Sequence, residues 1–475
     1  MLGFSAAAVL AGFGVEASAS APAPPVVLQH VSVVDVRDGR LVADQTVIVE
    51  RGRITGVGPA ETVAPPAGAL VVKADGKYVI PGLWDMHVHA AWRGIDGVFA
   101  PLFVANGVVG VREMFGDMET IRGWKARSEA GESWPRLIGP GHILDGPKPF
   151  WSNSTVAATA EEGRQAVRKL HDSGADFIKV YTKLPREAYA AALEEAKRLG
   201  TYAAGHVPDS VSVSEASDLG QRSIEHLTGV ALECSSEAEA LRAERAAAAA
   251  DPTPGKLLAS YLRQNERILA TQDPGRCSAL IARLAKNGTW QTPTLTVLRS
   301  MSSLDNDRFT ADPRVRYMPP GVTKSWNWRE DFRLRSRKPE DWASARKLYR
   351  RSLEIVGAMQ RAGVPILAGT DTLNPFCFPG FSLHDELSLL VEAGLSPADA
   401  LRAATLNPAS FLGATDWGAV EAGRRADLVL LDANPLEKIG NTRTIRAVVL
   451  DGRLLDRAAL DDMLAQSKRP VRPRR

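Results

Sequence analysis

Residues 79–89 read VIPGLWDMHVH and hold two of the eight histidines of the chain. The apolar, β-prone residues before them predict a buried strand, and the period of two along a strand places His87 and His89 on one side. Two imidazoles aimed together from a buried strand are costly to bury unless something binds them. Imidazole is a ligand for zinc and similar metals. Taken alone, the His-x-His motif is weak evidence for a metal site. How much it supports such a site depends on other candidate ligands elsewhere in the chain.

The composition is that of an ordinary soluble globular protein. The 475 residues are 45% hydrophobic and 24% charged, with a formal net charge of +3. The densest basic stretch, residues 329–347, also carries acidic residues, which favours a solvated insertion over a nucleic-acid surface. The three cysteines lie far apart, so neither a disulfide framework nor a cysteine metal site is indicated. We expect a small-molecule partner and no nucleic acid; a homo-oligomer is compatible with the sequence.

The N-terminus predicts export. Residues 2–15 are apolar and rich in small residues, and residues 17–19, ASA, have the form of a signal-peptidase site before a proline-rich spacer. No Lys or Arg precedes the apolar run, so the basic n-region is missing and a merely disordered tail is the alternative. No other stretch approaches the roughly 20 apolar residues that span a bilayer. We therefore predict a periplasmic or secreted protein whose mature form has no membrane segment.

Strand-like patterns occur at both ends of the chain. Residues 26–77 contain apolar runs separated by turn signals, and similar apolar runs occur again at 426–432 and 445–452. Neither piece has enough strands to close a core alone. The two pieces are therefore predicted to form one β-sandwich domain built from both chain termini.

Between these ends, strand and helix patterns alternate eight times. The strand-like runs lie near 79–89, 107–115, 135–144, 175–182, 202–207, 223–228, 289–296 and 364–371. This alternation predicts an α/β fold, a (β/α)8 TIM barrel with its chemistry at the carboxyl ends of the strands. Residues 229–288 and 297–342 are long for connections; the first has a helical pattern, and the second is a candidate lid over the barrel mouth.

The predicted domain boundaries follow from these patterns. The domains are a signal peptide and spacer at 1–25, the first part of the β-sandwich at 26–78, the barrel at 79–419, and the second part of the sandwich with a C-terminal tail at 420–475.

Polar residues recur where the predicted barrel strands end. They are His87, His89, Lys179, His206, His226 and Asp371, on the first, fourth, fifth, sixth and eighth strands. Any one of them alone is better explained as a capped or satisfied strand end. Six at one rim, with four of the eight histidines among them, indicate a metal centre.

Several short motifs accompany these residues. They are PGLxDxHxH at 81–89, GADxIK at 174–179, GH at 205–206, EH at 225–226, AGTD at 368–371, LNPA at 406–409 and GRRADLV at 423–429. With these motifs the chain resembles the amidohydrolase superfamily, in its branch of imidazolonepropionase-like and prolidase-like metallohydrolases. The resemblance extends from residue 26 to about residue 455.

The resemblance implies two divalent metal ions, zinc foremost, at these strand ends. The implied ligands are His87, His89 and Asp371 for one ion and His206 and His226 for the other. Lys179, carboxylated on its amine by CO2, would bridge the two ions. The chemistry agrees, because a carbamate supplies an anionic bridge where a free ammonium would repel two cations. The alternative for Lys179 is an ion pair with Asp176, which the period of two places on the opposite face.

The implied reaction uses a hydroxide that bridges the two ions as nucleophile. Asp371 would also be catalytic, accepting the proton and returning it to the departing amine. His142, at the end of the third predicted strand, is similar to a histidine that contacts substrate in the prolidase-like branch. Tyr181 follows Lys179 by two residues, faces the same interior and would donate to the tetrahedral oxyanion. For His142 and Tyr181, plain packing is an equal alternative.

These residues predict a binuclear zinc hydrolase of amide bonds in small substrates such as N-acyl amino acids or dipeptides. Imidazolonepropionase itself works with one metal and lacks the bridging lysine, so Lys179 argues against that activity. A lactonase or other ester hydrolase is the main alternative, because a bridging hydroxide does not intrinsically select amide over ester. A non-catalytic barrel that binds a partner is the other alternative, but such a protein should have lost ligands.

Overall fold

The computed structural model describes residues 24–251 and 255–468. Within these residues the chain forms 17 strands, 17 α-helices and two 3-10 helices. The predicted signal peptide lies outside the described residues. None of the described helices combines the length and the apolar character that a membrane crossing requires.

The strands fall into an N-terminal, a central and a C-terminal group. The N-terminal group is β1 (Val26–Asp35), β2 (Arg40–Glu50), β3 (Arg53–Pro59), β4 (Leu70–Lys73) and β5 (Tyr78–Pro81). The central group is β6 (Leu83–Val88), β7 (Val108–Glu113), β8 (Arg136–Ile138), β9 (Leu144–Asp145), β10 (Thr155–Val156), β11 (Ile178–Val180), β12 (Ala203–Gly205), β13 (Ser223–Glu225) and β14 (Trp290–Thr292). The C-terminal group is β15 (Leu428–Leu431), β16 (Ile445–Leu450) and β17 (Arg453–Leu455).

Most helices follow or separate the central strands. Those before β14 are α1 (Asp96–Ala105), α2 (Met118–Glu129), α3 (Ala160–Asp172), α4 (Arg186–Arg198), α5 (Val213–Asp218), α6 (Val230–Glu233), α7 (Ala238–Ala250), α8 (Lys256–Ala270) and α9 (Pro274–Asn287). Those after it are α10 (Leu295–Ser303), α11 (Asp307–Thr310), α12 (Pro320–Lys324), α13 (Pro339–Arg361), α14 (Phe381–Glu392), α15 (Pro397–Ala403), α16 (Leu406–Phe411) and α17 (Arg457–Ser467). The 3-10 helices are Pro313–Tyr317 and Ile439–Arg443.

Local sequence explains where several of these helices begin. The side chains of Asp117, Thr159 and Ser212 accept hydrogen bonds from backbone N–H groups in the first turns of α2, α3 and α5. Such caps satisfy N–H groups that have no partner within the helix. In α3 the buried residues include Val167 and Leu170, so the helix turns an apolar face to the core and leaves its charged residues outside.

The two ends of the chain join in one sheet. Its eight strands run in the order β17-β16-β15-β5-β1-β2-β3, with β4 also paired to β1. β5 makes this continuous, because it pairs with β1 on one side and with β15 on the other. Both termini therefore build one unit with its own apolar cluster, as predicted. Its strands pair in a single sheet, whereas the sandwich prediction expected two.

The central strands form two parallel sheets. β6, β7 and β8 make one of three strands, and β10-β9-β11-β12-β13-β14 make one of six. The carboxyl ends of parallel strands lie at the same edge, which is where polar side chains from separate strands meet. The described chain is thus an α/β protein with helices around parallel strands.

The predicted eighth strand, residues 364–371, is irregular. Residues 366 and 372 form isolated parallel bridges to β14 and β6, so this segment lies between the two parallel sheets. Asp371 has a φ of 60°, and its backbone N–H donates to the carbonyl of His87 at 2.8 Å. A left-handed residue cannot continue an extended strand, so the strand-like backbone of this segment ends at Asp371.

The first long connection is helical, as predicted, and forms α6 to α9. Cys234 follows α6 and Cys277 lies in α9, and the two form a disulfide with their Cα atoms 4.3 Å apart. The expectation that the cysteines form no disulfide was wrong. Their separation of 43 residues hides the contact in the sequence, because it arises only when α6 and α9 pack together. Cys377 is buried and free.

Candidate metal centre

Three predicted ligands meet at the carboxyl end of β6. The nitrogen and oxygen ligand atoms of His87, His89 and Asp371 all lie within 4.8 Å of one another. Oδ1 of Asp371 is 3.3 Å from Nε2 of His87 and 3.1 Å from Nε2 of His89. The period of two along β6 puts both imidazoles on one side, and the turn at residue 371 brings the carboxylate to them.

The donor set fits a divalent cation. Nε2 of His87 and Oδ1 of Asp371 are both buried and make no hydrogen bond. Buried polar atoms without a partner are costly, and two of them facing each other is the arrangement that a bound cation would satisfy. Two imidazoles and a carboxylate are also a ligand set that zinc accepts.

A buried carboxylate orients His87. Oε2 of Glu225 lies 2.8 Å from Nδ1 of His87, so Nε2 is directed toward Asp371. Glu225 is in turn bound by Arg112, whose Nη2 is 2.9 Å from Oε1, and by the hydroxyl of Ser223 at 2.5 Å. Burial sets the pKa of His87 well below its usual value, which keeps the imidazole neutral and able to bind a metal. Sequence reasoning missed this support, although the EH motif at 225–226 marks its position.

His89 has a carboxylate neighbour of its own. Oε1 of Glu113 lies 3.5 Å from Nδ1 of His89, and Oε2 of Glu113 accepts hydrogen bonds from the N–H groups of Ala90 and Ala91. Burial lowers the pKa of His89, but Asp371 and Glu113 outweigh it and raise the pKa to about 9. Arg112, the neighbour of Glu113 in the sequence, pairs with Glu225.

His206 and His226 lie beside this cluster. Their ring centroids are 5.0 Å apart, and the ring of His226 is 4.5 Å from that of His87. Nδ1 of His226 is 2.6 Å from the hydroxyl of Thr294, and Nδ1 of His206 is 2.9 Å from the hydroxyl of Thr182. These contacts leave Nε2 of each ring as the available ligand atom.

Lys179 reaches the same place from β11. Its side chain is buried, and among the described residues it makes no hydrogen bond and no ion pair. Gly205 leaves room for it, because a Cβ atom at this position would lie 2.9 Å from Cδ of Lys179. Burial lowers the pKa of Lys179 to about 8. The alternative of an ion pair with Asp176 does not occur, because Asp176 pairs with Lys125 at 2.7 Å.

The centre opens into a cavity of about 720 Å³, which we call the main cavity. Its wall contains His89, Lys179, His206, His226 and Asp371, and aromatic side chains from several loops: Trp92, Phe115, Trp151, Tyr181, Trp326 and Phe332. The predicted lid, residues 297–342, supplies part of this wall. Arg333 of that segment donates to the side chain of Asn374, which itself donates to the carbonyl of Asp371.

The two residues that were predicted to contact substrate, Tyr181 and His142, lie in different places relative to the main cavity. Tyr181 lines the main cavity, stacks on His206 with ring centroids 4.0 Å apart, and accepts a hydrogen bond from the indole of Trp151 at 3.1 Å. His142 is exposed and is not part of the cavity wall; its ring is 6.4 Å from Phe115. The structure therefore does not bring His142 to the site, because the chain turns it outward beside Ile143, which takes the place on the wall.

Known proteins resemble this chain in sequence and in fold. The amidohydrolase family model matches residues 330–455. The imidazolonepropionase of Deinococcus radiodurans is 25% identical over 422 residues, which are 85% of this chain and 90% of the relative.

Among solved structures, bottromycin amidohydrolase superposes with a TM-score of 0.73 at 24% identity, covering 94% of this chain and 91% of that chain. A prolidase complexed with N-methylphosphonate-L-proline superposes with a TM-score of 0.65 at 21% identity, covering 91% of this chain and 99% of that chain. These likenesses show a shared TIM-barrel-like fold with a second domain. Sequence and fold matches together support a place for this chain in the amidohydrolase superfamily and indicate a hydrolase that acts on carbon–nitrogen bonds.

Proposed function

We propose that this protein is a binuclear metal hydrolase that cleaves an amide bond in a small molecule. The observation that carries the proposal is the meeting of six side chains at one cavity wall or directly behind it. They are His87, His89, Lys179, His206, His226 and Asp371. In this proposal the two parallel sheets and the segment 366–372 act as one (β/α)8 barrel that presents these residues at its carboxyl rim.

The ligands divide into two sets. His87, His89 and Asp371 would hold one zinc ion, and His206 and His226 the other, with carboxylated Lys179 between them. Bound divalent ions supply an activated water at neutral pH and polarise the scissile carbonyl. Lys179 supports the second set because it is buried, faces the same cavity as both histidines and makes no hydrogen bond or ion pair among the described residues.

In this proposal Asp371 moves the proton. Its Oδ1 lies close to Nε2 of both His87 and His89, whereas its Oδ2 lies 3.8 Å from Nδ1 of His226. One oxygen can therefore bind an ion while the other accepts a proton from the attacking water and delivers it to the departing amine.

In this proposal Tyr181 binds the negative charge that develops on the substrate. Its hydroxyl oxygen accepts a hydrogen bond from Trp151, so its own proton remains free for another acceptor. Stacking on His206 holds the ring beside the centre. We assign Tyr181 as the donor to the substrate carbonyl oxygen, a contact that strengthens as that oxygen becomes charged.

The proposal includes export from the cytoplasm. The Cys234–Cys277 disulfide supports it, because structural disulfides persist in oxidising compartments and are rare in reducing ones.

The test is metal analysis of the purified protein followed by an activity screen. We expect two divalent ions per chain, loss of activity with a chelator and recovery with zinc. The screen uses N-acyl amino acids and dipeptides, with lactones and simple esters of matched size beside them. Active enzyme with a single ion would remove the binuclear proposal, and turnover confined to lactones or esters would remove the assignment to amides.

A further inference from the structure

A second cavity adjoins the candidate metal centre. We call it the side chamber; its volume is about 400 Å³. His206, His226 and Tyr181 line both the side chamber and the main cavity. Leu298 and Met301 also line both, so these five side chains form the boundary that the two cavities share.

The side chamber is largely apolar. Its wall includes the aliphatic side chains of Leu232, Ile268, Leu348 and Ile355, from α6, α8 and α13. Three charged side chains interrupt this surface: Asp209 after β12, Arg245 in α7 and Arg337 before α13.

Arg245 is held in place by neutral groups. Its Nε donates to Oε1 of Gln264 at 2.7 Å, and its guanidinium carbon lies 4.7 Å from the centroid of the Tyr261 ring. Neither contact supplies a negative charge; Asp209, on the same wall, interacts with Arg245 electrostatically at longer range. Among the described residues Arg245 has no acidic group within ion-pair distance, although its helix neighbour Arg242 pairs with Glu233 at 3.4 Å.

The other charged groups of the side chamber leave its net charge positive. Asp209 is the one carboxylate on the described wall, and it accepts a hydrogen bond from the hydroxyl of Tyr261 at 2.6 Å. Arg337, also on the wall, donates to the carbonyl of Met301 and likewise has no ion pair among the described residues. Two guanidinium groups against one carboxylate leave a net positive charge in an apolar space.

An arginine side chain stays protonated in a protein, so this charge persists at every physiological pH. Asp209 balances one of the two guanidinium charges, and an incoming carboxylate would balance the remaining one with charge-assisted hydrogen bonds. The fork of the guanidinium also matches the two oxygens of a carboxylate. The chamber is therefore suited to an anionic group carried on an apolar body.

We propose, building on the hydrolase function above, that the substrate is an N-aroyl amino acid with an apolar side chain, whose carboxylate binds Arg245. The amino-acid part would occupy the side chamber. The aromatic acyl part would occupy the main cavity, against rings such as Trp151, Trp326 and Phe332. The amide bond then lies beside His206 and His226, and addition of water across it releases an aromatic carboxylic acid and a free amino acid.

The experiment compares two compounds that differ at the carboxylate alone, N-(2-naphthoyl)-L-leucine and N-(2-naphthoyl)-L-leucinamide. For the metal-loaded wild type, kcat/KM for hydrolysis of the naphthoyl amide bond should be about 10- to 100-fold higher for the acid, the range expected of hydrogen bonds to a charged group. Calorimetric binding of both compounds should show the same preference, measured on Asp371→Asn if the wild type turns them over and on the wild type otherwise.

Arg245→Gln should remove this preference. Its KM for the acid should rise about 10- to 100-fold, while its KM for the leucinamide should change by a much smaller factor, because the carboxamide carries no charge for Arg245 to pair with. Arg245→Lys keeps the charge and should recover part of the loss, which excludes a folding defect as the cause. Arg242→Gln is the matched control, because it removes a neighbouring arginine that is paired with Glu233 and does not line the side chamber.

The outcomes separate this inference from the proposed function. Equal kcat/KM or equal affinity for the acid and the leucinamide, or an Arg245→Gln variant that keeps the preference, would overturn the role of the side chamber. If dipeptides or other amides are hydrolysed all the same, the hydrolase function stands. Absence of turnover on every carbon–nitrogen substrate counts against the proposed hydrolase function. The calorimetric comparison still shows whether the side chamber binds the carboxylate.

Discussion

Oε2 of Glu225 lies 2.8 Å from Nδ1 of His87, and both side chains are fully buried although 138 positions separate them in the chain. The carboxylate accepts the imidazole N–H and so leaves Nε2 as the ligand atom that faces Asp371. Arg112 neutralises Glu225 from the other side, which makes this one connected buried unit. Outer carboxylates of this kind orient metal-binding histidines and strengthen them as ligands.

Replacing this carboxylate tests the relationship. Glu225→Gln should lower the affinity for zinc by roughly 10- to 100-fold, because the imidazole loses its charged acceptor. It should also lower the free energy of unfolding, since Arg112 is left as a buried charge without a full partner. Zinc affinity is measured by competition with a chelator on the folded protein. Glu233→Gln, which removes a carboxylate bound to Arg242 away from the centre, is the control and should bind zinc normally.

Lys179→Ala should lose metal and activity together. Removal of the side chain takes away the anionic group that would balance the charge of the two cations. Added short-chain carboxylates should restore part of the activity by binding in the space that the side chain leaves. Metal content is measured by elemental analysis beside turnover. Lys125→Ala, which removes an amine paired with Asp176 on the outside of the sheet, should change neither. A fully active Lys179→Ala enzyme with its normal metal content would show that the lysine is only structural.

Asp371→Asn should keep appreciable metal and lose most turnover. The amide oxygen can still coordinate weakly, but the group no longer carries a proton. General acid–base catalysis contributes typically about 10²- to 10⁴-fold, so kcat should fall by at least that order at saturating zinc. His226→Ala is the contrasting variant, because its main effect should be loss of metal. Turnover within about threefold of wild type would exclude Asp371 from the mechanism.

The pH dependence of stability should include a contribution from His384. This side chain is buried between the hydroxyl of Thr442 at 2.9 Å and the carbonyl of Asn106 at 3.0 Å. Burial lowers its pKa to about 4, below the 6.5 of a free imidazole. The unfolded chain therefore binds more protons than the folded one between these values. The stabilisation is complete above pH 6.5 and is lost as the pH falls toward 4, by an amount on the order of 3 kcal/mol.

Chemical denaturation at a series of pH values measures this effect. His384→Gln, which cannot ionise, should show a flatter dependence of the unfolding free energy between pH 6.5 and 4. His171→Gln is the control, because His171 is exposed on α3 and should leave the slope unchanged. Equal slopes for the wild type and His384→Gln would contradict the assignment.

Periodicity and turn signals in the sequence were sufficient for the broad plan of the molecule. Alternating strand and helix patterns predicted an α/β protein with parallel strands, and the two β-rich ends predicted a unit built from both termini. The spacing of His87 and His89 placed both imidazoles on one side of β6, because side-chain direction along a strand depends only on the local period. Polar residues at the ends of the other predicted strands indicated which side chains lie near His87 and His89.

The tertiary structure decided everything that depends on contacts between distant segments. The order of the strands brings Glu225 to His87 and pairs it with Arg112, and no local pattern carries that information. The left-handed turn at Asp371, the disulfide between Cys234 and Cys277, and the outward direction of His142 likewise follow from how neighbouring segments pack. The side chamber exists because α6, α7, α8 and α13 meet beside His206 and His226. Local periodicity determines on which side of its strand or helix a side chain lies. The packing of distant segments determines which residues that side chain contacts.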